Sequence, residues 1–248
     1  MSLPRLFLAA LPAALPAAEN TTVPLGVEAI RHLRALRLKA GDALEVVLGD
    51  QPWKADLAEL DRTRGVARLV APLHEDREPP FALQACLPLP AQLSLFDELL
   101  PPLVELGATL IQPVVYTRSE FDPAKTAARM ERWARLIQSA CEQSHRSRLP
   151  ELRPPMAFEA LLAWEAPQKW VAYELATGQA NPPLRAEPLA FTSGPEGGIT
   201  EPEFAALAAH GWQPVSLGRS ILRAVTAPVA LLGAVQFQLP GLSTRGLR

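Results

Sequence analysis

Two short stretches carry the residue types from which a ligand site can be built. The first is Thr192-Ser193-Gly194-Pro195-Glu196-Gly197-Gly198, between a predicted strand and a predicted helix whose first turn holds Glu201 and Glu203. Glycines at a strand-to-helix junction let backbone approach a ligand closely and leave amide donors exposed. Glu196 would repel a phosphate. Neither G-x-G-x-x-G spacing nor a Lys-Ser/Thr after the glycines is present, so the loop suits a cationic or polar ligand better, with an ordinary tight turn as the plain alternative. The second stretch, Ser216-Leu217-Gly218-Arg219-Ser220-Ile221-Leu222-Arg223, again follows a short predicted strand. The helix after it starts near Ala224-Val225-Thr226-Ala227, with Pro228 tolerable in its first turn. Two such loops in succession outline a crevice at strand carboxyl ends.

The elements that must hold these loops form an alternating series. Strands are predicted at Phe81–Leu87, Thr109–Val115, Lys169–Tyr173, Leu189–Thr192 and Pro214–Ser216, and helices at Ser94–Leu106, Pro123–His145, Phe158–Trp164, Glu201–His210 and Ala224–Phe237. In the longest helix Met130, Trp133, Ala134, Ile137 and Cys141 share one stripe, with Arg129, Arg132 and Arg135 largely off it. This alternation predicts an α/β domain on a mainly parallel sheet. Upstream the pattern changes. A first strand at Leu3–Ala9, an amphipathic helix at Val27–Leu38 and strands at Leu44–Leu48, Trp53–Leu60 and Val66–Leu69 read as a small barrel packed around one helix. Residues 1–72 are thus expected to form one domain, 73–80 a linker and 81–248 a second domain.

Composition narrows the function classes. Hydrophobic residues make up 48% of the 248 and charged residues 20%, enough for packed cores. The 26 prolines are scattered, with pairs such as Pro79-Pro80 and Pro101-Pro102, which predicts stiff loops between short elements. A net charge of −2 excludes a generic polycationic nucleic-acid coat, so any nucleic-acid binding must come from local patches. One patch is Arg31, Arg34, Arg37 and Lys39. Another is the stretch from Pro123 to Arg153, where seven Lys and Arg face three acids. Aromatic residues, at 6%, argue against an extended base-stacking platform. Cys86 and Cys141 show neither disulfide nor metal-ligand spacing; no metal is expected, and a reducing, cytoplasmic compartment is. The apolar run Leu6–Leu11 is shorter than a signal peptide requires, and no run is long enough to span a membrane.

The motif pair G-P-E-G-G-I (194–199) and L-G-x-x-I-L-R-x-x-T-A (217–227) resembles the signature of the RsmE family. That family comprises SPOUT-class methyltransferases acting on ring nitrogen 3 of a uridine near the 3′ end of small-subunit ribosomal RNA. The likeness extends along nearly the whole chain. Arg5-Leu6-Phe7 is similar to the family's opening strand. His32-Leu33-Arg34 with Leu36-Arg37 and Gly41-Asp42 is similar to its PUA-like domain. Val104–Gly107, Gln112-Pro113, Arg118-Ser119 and Glu142-Gln143-Ser144 with Arg146 match its centre.

The resemblance implies a small PUA-like β-barrel followed by a SPOUT-type α/β domain with a carboxy-terminal trefoil knot, assembled as a homodimer. It implies S-adenosyl-L-methionine as cofactor, held by Gly194, Glu196, Gly197, Leu217, Gly218, Ile221, Leu222, Thr226 and Ala227. It implies small-subunit ribosomal RNA or the assembled small subunit as partner, contacted through Arg5, His32, Arg34, Arg37, Arg118 and Arg146, with no membrane. The target it points to is uridine 1498 of 16S RNA.

A uridine ring nitrogen carries a proton and is a weak nucleophile, so a cation beside the developing anion favours the reaction. Arg223 is the candidate for that catalytic cation. The general base stays unassigned among Glu196, His32 and His145. Several positions depart from the family pattern. Leu89-Pro90-Ala91-Gln92-Leu93 lacks a lysine, Thr117 and Val225 stand where glutamates are usual, and His145 stands where glycine is usual. These departures leave two alternatives open: a relative that modifies another RNA, and a non-catalytic RNA-binding or assembly factor.

Overall fold

The computed structural model describes residues 3–8, 17–74, 77–176 and 180–239; Ala9 of the expected first strand, the run beyond Leu8, and Glu75 and Asp76 of the expected linker lie outside the described residues. The chain divides into two compact units. One comprises Met1–Glu78 with Cys141–Arg148, the other Pro79–Ala140 with Leu149–Arg248. The insertion of 141–148 into the first unit joins residues distant in sequence, which no local pattern announces.

The first unit holds β1 (Arg5–Leu8), β2 (Thr22–Pro24), α1 (Val27–Ala35), β3 (Ala43–Leu48), β4 (Gln51–Leu60) and β5 (Gly65–Pro72). Its sheet runs β1-β3-β4-β5-β2, with β1 parallel to β3 and the other neighbours antiparallel. A two-residue turn at Gly49-Asp50 joins β3 to β4, and Gly49 takes the left-handed φ of +61° such turns need. Leu6, Val23, Ile30, Leu33, Leu44, Val46, Trp53, Leu57 and Leu69 fill the core, with α1 contributing its Ile30–Leu33 face. Three-residue β2 buries only Val23, too little for alternation to reveal it.

Two buried ion pairs bind 141–148 to this unit. Arg5 bridges Glu45 at 2.7 Å and donates to the His145 carbonyl, and His145 Nδ1 lies 3.0 Å from Glu45 Oε2. Arg146 pairs with Glu78 at 2.6 Å, and Glu78 Oε1 also accepts the Ser147 and Arg148 amides. Arg5 and Arg146 are 2% and 3% exposed. This corrects the expectation of RNA contact at both: the buried guanidiniums are taken up by the carboxylates of Glu45 and Glu78 and leave no open face for a phosphate. His145, with φ +57°, occupies a left-handed position, which accounts for glycine being the usual residue there.

The second unit holds β6 (Leu83–Pro88), α2 (Leu93–Glu105), β7 (Leu110–Val115), α3 (Pro123–Ser144, its last turn in the first unit), β8 (Glu151–Leu152), β9 (Met156–Ala157), α4 (Phe158–Leu162), β10 (Gln168–Ala172), β11 (Leu189–Ser193), α5 (Glu201–Ala209), β12 (Gln213–Val215) and α6 (Thr226–Gln238). The sheet runs β12-β10-β11-β6-β7-β8, with β9 also on β7, and every ladder is parallel. One face carries Cys86, Val114, Tyr116, Phe158, Leu161, Val171, Ala190, Leu207 and Trp212. Helix α6 packs on α2, β10 and β11.

Pro101-Pro102 lies inside α2, within the helix expected at Ser94–Leu106 although proline pairs favour loops. Each proline removes a helix donor, but Phe96, Leu99, Leu100, Leu103 and Val104 are buried along the same helix. Their burial, at roughly 1.5–3 kcal/mol per large apolar side chain, offsets the lost bonds. Asp97 on this helix accepts from Arg129, Arg132 and the Trp133 indole, joining α2 to α3.

Candidate functional site

Three neighbouring strands of the parallel sheet end side by side. Ala172 of β10 is level with Ser193 of β11 and with Val215 of β12. The chain leaving each strand closes a cavity of about 410 Å³. Its walls are Ala172–Glu174, then Gly194–Glu196 with Gly198 and Ile199, then Val215–Val225 with Ala227, and Leu95 from α2. A volume of this size accommodates a nucleoside-sized ligand.

The first glycine loop is fixed at both ends. At its root, the Tyr116 and Thr192 hydroxyls meet at 2.8 Å. At its exit, α5 opens with a capping box: Thr200 Oγ1 accepts the Glu203 amide, and Glu203 Oε2 accepts the Thr200 amide at 2.8 Å. Glu203 Oε1 also accepts the Thr117 amide at 2.9 Å from the β7–α3 loop. Burial raises the pKa of this carboxyl, but the hydrogen bonds from Thr200 and Thr117 outweigh burial and hold it below the usual glutamate value.

The glycines are explained by the chain itself. A Cβ on Gly194 would lie 3.1 Å from both the Ile199 backbone nitrogen and its side chain, so the loop could not return so tightly. A Cβ on Gly197 would meet the Arg118 side chain at 3.0 Å, and Gly198 has φ +73°. The groups that approach Gly194 and Gly197 closely belong to the protein itself.

The second loop is steadied from one side by Asn181, whose amide group donates to the Ser216 carbonyl at 2.9 Å and accepts its amide at 2.8 Å. Gly218 turns at φ +119°. The Arg223 carbonyl then accepts the amides of Thr226 and Ala227, at 2.8 and 3.0 Å, and starts α6. This leaves the Arg223 side chain exposed on the cavity wall. Four charged side chains line the cavity (Glu174, Glu196, Arg219 and Arg223), and among the described residues none of them makes an ion pair or side-chain hydrogen bond.

Of the residues expected to hold cofactor, Gly194, Glu196, Leu217, Gly218, Ile221, Leu222 and Ala227 line this cavity, as does Arg223. Gly197 faces Arg118, and Thr226 is exposed at the start of α6; neither is part of the lining. Tyr173, Glu174, Arg219 and Leu95 are lining residues that sequence reading missed. The signal for the first two was their place at the carboxyl end of the strand predicted at Lys169–Tyr173, but only the order β12-β10-β11 makes that end a neighbour of both loops. Val225, where a glutamate is usual, also lines the cavity, so the change alters the site directly.

The expected RNA contacts divide. His32, Arg34 and Arg37 are exposed at the end of α1 in the first unit. Arg118 is exposed but donates to the Gly197 carbonyl. Neither His32 nor His145 lines the cavity, which leaves Glu196, joined there by Glu174, as the carboxylate on its wall.

Both cysteines are buried and free. Burial pushes the Cys141 thiol up to about 12 and the Cys86 thiol higher still, so neither is a nucleophile near neutral pH. Among the described residues no cluster of three or more His, Cys, Asp or Glu could hold a metal ion, and no helix is long and apolar enough to cross a membrane.

Comparison with known proteins places these features among related sequences. Residues 77–236 match the model of the RNA methyltransferase domain family. The ribosomal RNA small subunit methyltransferase E of Synechocystis sp. is 36% identical over 226 residues, covering 87% of this chain and 73% of that protein. Its namesake from Bacillus subtilis is 27% identical over 235 residues, covering 89% and 91%. The crystal structure of a ribosomal RNA small subunit methyltransferase E from Neisseria gonorrhoeae, bound to S-adenosyl methionine, superposes with a TM-score of 0.83 at 29% identity. The match covers 95% of this chain and 97% of that one.

Proposed function

The chain belongs to the ribosomal RNA small subunit methyltransferase E family, and from that membership we propose that it methylates ring nitrogen 3 of a uridine in 16S ribosomal RNA with S-adenosyl-L-methionine as donor. The observation that carries this reading is the cavity at the carboxyl ends of β10, β11 and β12, built from the two glycine loops. Its donor set fits the cofactor. The two carboxylates suit a ligand bearing sulfonium and ammonium charges, and Leu217, Ile221 and Leu222 offer apolar surface to an adenine.

When bound, the cofactor supplies an electrophilic methyl group on a positively charged sulfur. The protein's share is then to bring the base in line and to favour its anionic form. Holding two reactants in register contributes up to roughly 7–11 kcal/mol in well-oriented cases. The unpartnered Arg223 guanidinium stabilises negative charge as it develops on the uridine ring. Glu196 and Glu174 are the carboxylates on the wall able to accept the ring proton.

RNA is proposed to engage the first unit through His32, Arg34 and Arg37, as phosphate contacts that orient without reading sequence. A PUA-like barrel for 1–72 and a SPOUT-type knot for 81–248 are the architecture proposed with this function. A homodimer in the cytoplasm completes the proposal. Support for dimerisation comes from apolar side chains left at the second unit's surface: Phe237, Ile221 and Leu175 are 93%, 81% and 66% exposed.

The test is incubation with labelled S-adenosylmethionine and small subunits from cells lacking this gene, followed by identification of the labelled nucleoside. Wild type is expected to give 3-methyluridine, with label lost in Arg223→Ala and Gly197→Val. Label in another nucleoside, or only in transfer or large-subunit RNA, would redirect the substrate assignment. RNA binding with no transfer at all would identify a non-catalytic assembly factor.

A further inference from the structure

Of the five consecutive residues Gly194–Gly198, Gly197 alone does not line the cavity. It is also the residue held from outside. Arg118 donates through Nη1 to its carbonyl, and the aliphatic stem of Arg118 lies over its α-carbon. A Cβ at Gly197 would approach Arg118 Cδ to 3.0 Å and Cβ to 3.2 Å, so any larger residue there would push the Arg118 stem away by a few tenths of an ångström. The residue before it, Thr117, gives its amide to Glu203 at the loop's exit. The one before that, Tyr116, holds Thr192 at the loop's root. Residues 116–118 thus cross the first glycine loop as a strap with three attachments, the Tyr116 one buried and the residues of the other two, Thr117 and Arg118, exposed.

We propose that Arg118 is a positioning residue for cofactor binding. By holding the Gly197 carbonyl on the outer side of the loop, it keeps Gly194–Glu196 and Gly198 turned to the cavity. Its guanidinium serves this loop and not an RNA phosphate. The proposal rests on the reading that the cavity takes S-adenosylmethionine. The exposed location of Arg118 makes its removal compatible with folding, since it belongs to neither hydrophobic cluster nor to an ion pair among the described residues.

The experiment is titration calorimetry of S-adenosylmethionine into wild type, Arg118→Ala and Arg118→Lys, with melting temperatures and steady-state kinetics on small subunits alongside. Losing one hydrogen bond to a charged donor is expected to weaken cofactor binding about five- to tenfold. The KM for cofactor should rise with it, while kcat stays close to wild type and the apo melting temperature is retained. Lysine, which keeps a donor and an aliphatic stem, should restore part of the affinity. Unchanged cofactor affinity in Arg118→Ala, with weakened RNA binding and a reduced salt slope, would overturn the proposal in favour of a phosphate contact. A fall in melting temperature that accounts for the whole loss, without rescue by lysine, also counts against it. Failure of the wild type itself to bind cofactor would remove the functional reading, a result separable from either.

Discussion

The hydroxyls of Tyr116 and Thr192 meet at 2.8 Å inside the second unit, with Tyr116 2% exposed and Thr192 fully buried. Burial pushes the Tyr116 phenol far above its usual range, so it is a neutral hydrogen-bonding group at any working pH. Tyr116→Phe removes one partner and leaves the Thr192 hydroxyl with only a long contact to the Ser193 carbonyl. The expected cost is about 1–2 kcal/mol in chemical denaturation. Because the bond sits at the root of the first glycine loop, cofactor affinity should fall as well.

Glu203 makes stability depend on acid in a defined direction. Its pKa in the folded chain lies below the ordinary value of 4.5. The stabilisation from its charged form is therefore fully present above pH 4.5 and disappears as pH falls through the lowered value. Melting curves of wild type and Glu203→Gln should be well separated near neutrality and converge on acidification through that window. Parallel curves at every pH would show that the charge of Glu203 contributes nothing.

Arg223 separates binding from chemistry. Its backbone carbonyl starts α6 while its side chain stands unpartnered on the cavity wall. Arg223→Ala should leave cofactor affinity within a few-fold of wild type and lower kcat by about a hundredfold, the usual scale for removing one preorganised electrostatic donor. Equal losses in affinity and rate would place Arg223 in cofactor binding.

The basic residues of the first unit should behave as two groups. Arg34→Ala and Arg37→Ala are expected to raise the KM for RNA and lower the salt slope of binding by about 1 each, with melting unchanged. Arg146→Ala leaves Glu78 buried without its cation and is expected to destabilise by about 3–5 kcal/mol, visible in melting before any assay of RNA.

Much of this was legible in residue order because the signals are local. The spacing of Ala190 and Phe191 before Gly194, and of Thr200 and Glu203 after it, marks a strand, a turn and a capped helix within a dozen residues. What escaped was set by partners far away in sequence. Arg5 looks like a surface cation until Glu45 and the carbonyls of 145 and 146 enclose it. Glu174 looks like a loop carboxylate until β10 is placed between β11 and β12. The role of Gly197 was visible as a glycine but not as the floor beneath Arg118.

The position of β10 also constrains how the protein can be made. Both strands that flank it, β11 and β12, are synthesised after it, and it has no ladder with β6–β9. A nascent chain that has released Gln168–Ala172 but not yet Leu189–Ser193 carries a short apolar strand, with Trp170 and Val171, open on both edges. Such edges invite pairing with other chains. The parallel sheet therefore cannot close progressively from the ribosome outward. Strand β10 must wait unpaired for about twenty residues until β11 is released, which leaves both of its edges open to aggregation over that interval.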